Sequence, residues 1–304
     1  MTDVAPGWDL YRSFLAVLEQ RSLSGAARML GLTQPTIGRH VDALEQALGM
    51  ALFTRSQHGL LPTEDALELR PYAETMRATT EALLRAASGR GAGTRGTVRI
   101  TASEMIGVEV LPPILAGLRR AYPELMLELV VSNRNDDLLR HEADIAVRMV
   151  PPRQEALLAR RIGVVELGLF AHGGYLERCG TPATLAALAE HSLMGFDREP
   201  VTLPGPDGVP IAFSRERFAL RTDCHLAHLA AIRAGFGIGV CQAALAARSP
   251  ALVRVLPQAF SVALEVWVVM HEDLRASRRC RVVFDALAAG LAIHAVSDRK
   301  HRVR

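Results

Sequence analysis

Gln34, Thr36 and Arg39 follow one another closely in the run Thr33-Gln34-Pro35-Thr36-Ile37-Gly38-Arg39. Amide, hydroxyl and guanidinium groups spaced along one short helix suit the edges of base pairs. A guanidinium grips guanine through two hydrogen bonds and an amide grips adenine likewise. Further on, Arg55 follows the apolar triplet Ala51-Leu52-Phe53 and precedes the turn Gln57-His58-Gly59, a setting in which a cation meets phosphate. Of the 35 basic residues only Lys300 is lysine, so the cations available to DNA are guanidinium groups. Residues 1–63 nevertheless balance Arg12, Arg21, Arg28, Arg39 and Arg55 against Asp3, Asp9, Glu19, Asp42 and Glu45. Placement, not net charge, therefore carries the case for nucleic acid.

The elements that position these groups can be read around them. Ala26, Ala27 and Leu30 share one face of a short helix, and Gly31 ends it, because glycine enters the left-handed region without a Cβ penalty. Thr33 is an expected N-cap for the next helix, and Pro35 sits in its first turn, where a missing N–H costs nothing. Ile37, Val41, Leu44 and Leu48 form its apolar stripe, leaving Gln34, Pro35, Thr36 and Arg39 on the other side. Two such helices make either a helix-turn-helix or an ordinary αα-hairpin. The hairpin expected over 51–61, with Leu60-Leu61 closing it, favours the former with a wing. Trp8-Asp9 opens a supporting helix with Leu10, Phe14, Val17 and Leu18 facing inward.

After the wing, Thr63 caps a helix in which Ala66, Leu69, Ala73, Met76, Thr80, Leu83 and Ala87 recur at alternating spacings of three and four. Such a stripe can be buried on its own domain, but an a/d seam this regular, leading into a glycine-rich boundary, favours contact with a second chain. Residues 88–94 are a glycine-rich boundary. Beyond it the pattern turns to α/β: strands at 98–102, 125–131 and 144–147 alternate with helices at 111–118 and 136–142, which predicts a parallel sheet. A second such unit is expected from Glu166 through Asp223 to a strand at 236–240. Val262–Met270 leads back, and a last helix from Ala276 to Ala295 returns to the first unit.

Ala26-Ala27, Leu30, Thr33-Gln34-Pro35-Thr36, Arg39, Leu44-Glu45, Leu48-Gly49, Leu52-Phe53 and Arg55 resemble the N-terminal winged helix-turn-helix of LysR-type transcriptional regulators, ungapped from Leu10 to Thr63. Gly38 departs from the family's usual serine, and Pro62-Thr63 from leucine-threonine. The later half is similar to the family's effector domain at Leu111-Pro112, Tyr122-Pro123, Asp144–Arg148, Leu158–Arg161, Tyr175-Leu176, Gly180–Pro182, His191 and Gly235–Gly239. His141 and Cys241-Gln242 depart from the pattern.

The resemblance implies an α/β protein with an all-α-rich winged helix-turn-helix over 1–63 and a dimerising linker helix and hinge over 64–91. A two-lobed, periplasmic-binding-protein-like domain follows over 92–304, with one lobe at about 92–165 plus 271–304 and the other at 166–270. It implies a regulator, not an enzyme, that binds double-stranded promoter DNA, itself (as a dimer or tetramer), RNA polymerase and a small effector, with no cofactor, metal or membrane. DNA contacts fall to Gln34, Pro35, Thr36, Arg39 and Arg55, and self-association to Leu69, Ala73, Met76, Thr80 and Leu83. Effector contacts are expected where strands feed helices: Ser103, Glu104 and Met105; Ser132 and Asn133; Arg148; and Thr222, Asp223 and His225. Arg148 has two readings, one holding an anionic effector and the other pairing with Glu104. Two alternatives remain open: a regulator whose cleft binds nothing, and a two-lobed solute-binding protein or enzyme.

Other patterns fall away. Gly235-x-Gly237-x-Gly239 follows a helix, and Val240 stands where a dinucleotide site needs its third glycine. No Gly-x-Ser-x-Gly or phosphate loop occurs. Cys224, His225 and His228 read as a helix start, not a metal corner. The dispersed cysteines 179, 224, 241 and 280 suit neither a disulfide framework nor a zinc ribbon. No run reaches 18 apolar residues, and Asp3 and Asp9 flank an N-terminus without an apolar core, so the expected location is cytoplasmic.

Overall fold

The computed structural model describes residues 5–57, 59–88, 93–133, 143–152, 157–197, 201–204, 210–213 and 215–300. The expected helix over 136–142, His58, His141, linker residues 89–92 and the tail from 301 lie outside them. The chain divides into two compact units at Ala87–Ser88.

In the first unit α1 (Trp8–Gln20), α2 (Leu23–Leu30) and α3 (Gln34–Leu48) precede a hairpin of β1 (Phe53–Ser56) and β2 (Gly59–Pro62). Gly31 ends α2 at φ 66° as expected, and Ser22 caps its start by accepting from the Gly25 N–H at 3.3 Å. Thr33 holds the N-cap position of α3 as expected, but its side chain makes no capping bond and pairs with the Thr36 hydroxyl at 2.8 Å. The α3 stripe is dry, with Ile37, Val41 and Leu44 buried against Ala16, Val17, Ala26, Phe14 and Leu52. The first wing strand begins at Phe53, not Ala51. Leu52 is fully buried; its N–H and that of Phe53 donate to Glu45 Oε1 at 2.6 and 3.1 Å, while its carbonyl accepts from the Thr63 N–H at 3.0 Å. A Cβ on Gly59 (φ 109°) would lie 2.5 Å from the Arg21 carbonyl oxygen, which also accepts from Leu60. Only glycine fits there.

Helix α4 (Glu64–Ser88) starts at Thr63, whose hydroxyl oxygen accepts from Ala66 at 3.2 Å. Its seam divides in two. Ala66 and Ala73 are buried and Leu69 packs beside them against the head's own core, whereas Met76 and Leu83 are exposed and Thr80 is half-buried. Leu69 and Ala73 thus serve their own unit first.

In the second unit β3 (Gly96–Ala102) pairs in parallel with β4 (Leu125–Val131) and β5 (Ile145–Arg148), and α5 (Leu111–Ala121) lies between them in sequence, as the apolar pattern predicts. The second half is built differently from the expectation. The long β6 (Leu157–His172) is followed by α6 (Gly173–Cys179), β7 (Leu193–Gly195), β8 (Val201–Pro204), β9 (Pro210–Phe213) and β10 (Phe218–Arg221). Next come α7 (His225–Arg233), β11 (Gly239–Gln242), α8 (Ala243–Ala246), β12 (Leu252–Val255), β13 (Val262–His271) and α9 (Arg278–Lys300). Among the described residues parallel pairing there is confined to β7 with β10 and a Leu193–Ile238 bridge, while β11 and β12 lie antiparallel on β6. Both reach Leu169 and Phe170, so they take opposite edges of β6, and antiparallel partners need no crossover helix. Among the described residues the resulting seven-stranded sheet runs β11-β6-β13-β5-β3-β4, with β12 also on β6. The principal core, including Ile100, Val147, Val266 and Leu287, lies under α9 and α5.

Candidate functional site

Two surfaces carry chemistry, one in each unit. In the first, burial of the α3 stripe leaves Gln34, Pro35 and Arg39 exposed and Thr36 half-exposed. Gln34 is held by Ser24, whose hydroxyl donates to Oε1 at 2.9 Å, so its amide nitrogen points away from that bond. The Ser13 hydroxyl and His40 Nδ1 meet at 2.8 Å and tie α3 to α1. Arg55 lies within β1, paired across the hairpin with Leu60, and is exposed. Glu45 couples the two groups: it belongs to α3 and anchors the wing's entry through Leu52 and Phe53. Sequence reasoning gave Glu45 no anchoring role. Its place one turn before the helix end, just ahead of the wing, was the available signal.

The second unit encloses a cavity of about 420 Å³, of the size that takes a small organic molecule. Of the expected effector residues, Ser103, Met105, Ser132, Asn133, Arg148 and His225 line it. Glu104, Thr222 and Asp223 stand outside its wall. Glu104 Oε2 accepts from the His225 N–H at 3.1 Å, so the carboxylate occupies the positive start of α7, 3.5 Å from His225 Nδ1. Thr222 accepts from Cys224 and Asp223 from Asp197, which shapes the loop before α7. Asn133 joins this group, accepting from the Glu104 N–H at 3.1 Å and meeting His225 Nδ1 at 3.2 Å.

Arg148 is 7% exposed, and donates to Thr101 Oγ1 and the Val147 carbonyl, each at 3.1 Å. The remaining wall is chiefly apolar, and the residues missed by sequence reasoning are here: Met149, Phe196, Phe218, His228 and Gln242. They lie in several elements far apart in sequence, with no shared spacing to announce them. Gly237 is explained by packing, since its Cβ would meet the Ser192 carbonyl oxygen at 2.1 Å beside the Leu193–Ile238 bridge.

Behind the wall a polar chain continues outward. Gln242 Oε1 pairs with His294 Nε2 at 3.1 Å, and Arg248 approaches His294 Nδ1 at 3.4 Å. Donation by Arg248 fixes the neutral ring with its proton on Nε2. Burial, and then the Arg248 charge, push the His294 pKa down to about 4. Burial likewise pushes His228 down to about 4, with His225 adding to it. The buried Cys241 thiol is pushed up to about 12, chiefly by burial, and so stays protonated and unreactive. Glu109 is held below the usual carboxylate range by its two hydrogen bonds from Arg233, both 2.9 Å.

Residues 8–67 match the model of the bacterial regulatory helix-turn-helix proteins of the LysR family, and residues 91–292 match the LysR substrate binding domain. A probable HTH-type transcriptional regulator, LtrA, of Klebsiella pneumoniae is 24% identical over 90% of this chain and 92% of its own length. An HTH-type transcriptional regulator of Xanthomonas campestris is 32% identical over 56% of this chain, and the match spans about half (49%) of that relative. Among solved structures, the full-length Vibrio cholerae virulence activator AphB superposes with a TM-score of 0.65 over 93% of this chain and 99% of its own, at 23% identity. CbnR, solved in complex with its target DNA, gives 0.63 over the same shares at 20% identity. Among the described residues no helix is long and apolar enough to cross a membrane.

Proposed function

The chain belongs to the LysR family of bacterial helix-turn-helix regulators, and from that premise we propose that it binds promoter DNA and answers to a small molecule in its cavity. The observation that carries this reading is the pairing of an exposed polar front on α3 with a cavity of about 420 Å³ in the other unit. A space of that size speaks against a cleft closed by its own side chains, and the family's regulators speak against an enzyme or solute carrier.

In this reading Gln34, Pro35, Thr36 and Arg39 meet base edges while Arg55 meets phosphate. The divisions at 1–63, 64–91 and 92–304 separate head, linker and effector domain. The later seam positions of α4, Met76, Thr80 and Leu83, join two copies, with Leu69 and Ala73 backing them from the first unit's core. Arg148 and Ser103 receive an anionic group of the effector. Ligand alters promoter binding to the extent that it binds two lobe arrangements unequally. The protein acts in the cytoplasm, with RNA polymerase as a further partner.

Genome-wide footprinting of the full chain tests this directly. The expected result is protected promoter sites made of two half-sites spaced by whole turns of DNA, roughly 10 base pairs or multiples. Uniform, sequence-blind protection would overturn the reading.

A further inference from the structure

His228 is 4% exposed and forms part of the cavity wall, yet neither of its ring nitrogens has a hydrogen-bond partner among the described residues. His294, equally buried, engages both of its own. A neutral imidazole carries one donor and one acceptor, and burying either without a partner forfeits its hydration with no return. An apolar side chain would fill the same place at lower cost. The ring is nevertheless given room: a Cβ on Gly239 would lie 2.6 Å from its Nε2. Phe196 stacks on it with centroids 5.8 Å apart and planes 14° apart. The other imidazole beside Phe196 is His225, with centroids 5.0 Å apart, but its Nδ1 is already met by Asn133 at 3.2 Å, so His228 is the one left unmatched.

We propose that His228 determines specificity for a hydroxyl group on an otherwise apolar, ring-sized effector. The proposal rests on the reading of the cavity as the effector site. A hydroxyl both donates and accepts, so it satisfies the imidazole in either tautomer, whereas an ether only accepts. A carboxylate at the same place would accept from the ring's N–H but bring an unpaired charge into a dry setting that resists it. The torsion of a histidine ring is broad and two-fold, so a turn about its Cβ–Cγ bond brings a nitrogen to the cavity face. Phe196 and Phe218 then supply faces for the ligand's ring.

Calorimetric titration of the full chain with 2-naphthol, 2-methoxynaphthalene and 2-naphthoate tests the proposal. Wild type should bind 2-naphthol at least about ten-fold more tightly than its methyl ether, because a site built to bond a hydroxyl rejects the analogue lacking it. His228→Phe should bind the two nearly equally, and His228→Gln should keep a preference; His228→Leu replaces the Phe variant if circular dichroism shows misfolding. The naphthoate reports on Arg148 separately and should be indifferent to His228→Phe. Equal binding of naphthol and ether by wild type, or a preference that survives His228→Phe, overturns the role of His228 and leaves the cavity reading standing. If no naphthyl probe binds, or if a cavity-filling variant with wild-type circular dichroism (Met194→Trp or Val240→Phe) binds unchanged, both fall.

Discussion

On α3 the buried and exposed residues sort by helical period: Ile37, Val41 and Leu44 go inward, and Gln34, Pro35 and Arg39 go outward. The cavity wall sorts by no period at all. It draws Ser103 from the end of β3, Arg148 from β5, Leu169 from β6, His228 from α7 and Gln242 from β11. The polar groups on the head are exposed or engaged by near neighbours, as Gln34 is by Ser24. In the effector unit polar groups are buried, and some are matched while others are not. The chemistry of α3's exposed side is local, so it can change one residue at a time. The cavity is a concave surface whose chemistry depends on several distant segments arriving together, and each buried polar atom there carries an energetic consequence.

The largest expected effect sharpens that contrast through pH. His228 and His294 are both held neutral with pKa values near 4, against 6.5 for the free group. Unfolded chains therefore bind protons that the folded state refuses between these values, so stability is intact above pH 6.5 and falls as pH drops toward 4. Fully expressed, the loss is about 3 kcal/mol per ring. Thermal melts from pH 7.5 to 4 should show it, and His228→Phe should flatten the slope. A melting temperature constant across the window would mean that neither ring is buried in neutral form.

Next comes the head. Arg39→Ala should cost roughly 1–3 kcal/mol on the best DNA site and relax the preference among sequences. Arg55→Ala should weaken all sequences alike and reduce the salt slope by about one unit. Gel shifts on a randomised site pool at two salt concentrations separate the two. Equal, sequence-blind losses from both variants would place Arg39 on phosphate and break the assignment of α3 as the reading helix.

The smallest expected effect is at Gly38, which stands within α3. A Cβ there would meet only Leu23 Cδ1, at 3.8 Å, so the space is open. Gly38→Ala should raise the head's stability by about 1 kcal/mol, since glycine weakens a helix interior by that much relative to alanine. Chemical denaturation measures it. A loss of stability instead would show that the head is less tolerant at this point than its geometry indicates.

Much of the fold was legible because apolar spacing reports it directly. The helices around Gly31, the parallel β3–β4–β5 group and the long return strand β13 all carry strong local patterns. The second half of the effector unit was not. Strands such as β11 and β12 span four residues each, and whether residues 239–242 run parallel or antiparallel depends on β6 extending far enough to receive them. The α4 seam shows the same limit in a helix. Its periodicity marks Ala73 and Leu83 as equivalent, yet one is buried in its own unit and the other exposed.

By itself the sequence determined the two helices of the turn, the exposed cations at 39 and 55, and the α/β character of the chain beyond its glycine-rich boundary. Those features arise from steric and hydrophobic preferences acting over a few neighbouring residues. Only the tertiary structure decided that Glu104 bonds the start of α7, that Arg148 donates to Thr101, and that Glu45 anchors the wing. It alone set His228 in the wall with both nitrogens unmatched. Each of these depends on which distant segment packs alongside. A side chain's partners are chosen by the packing of whole elements, and no period in the chain encodes them.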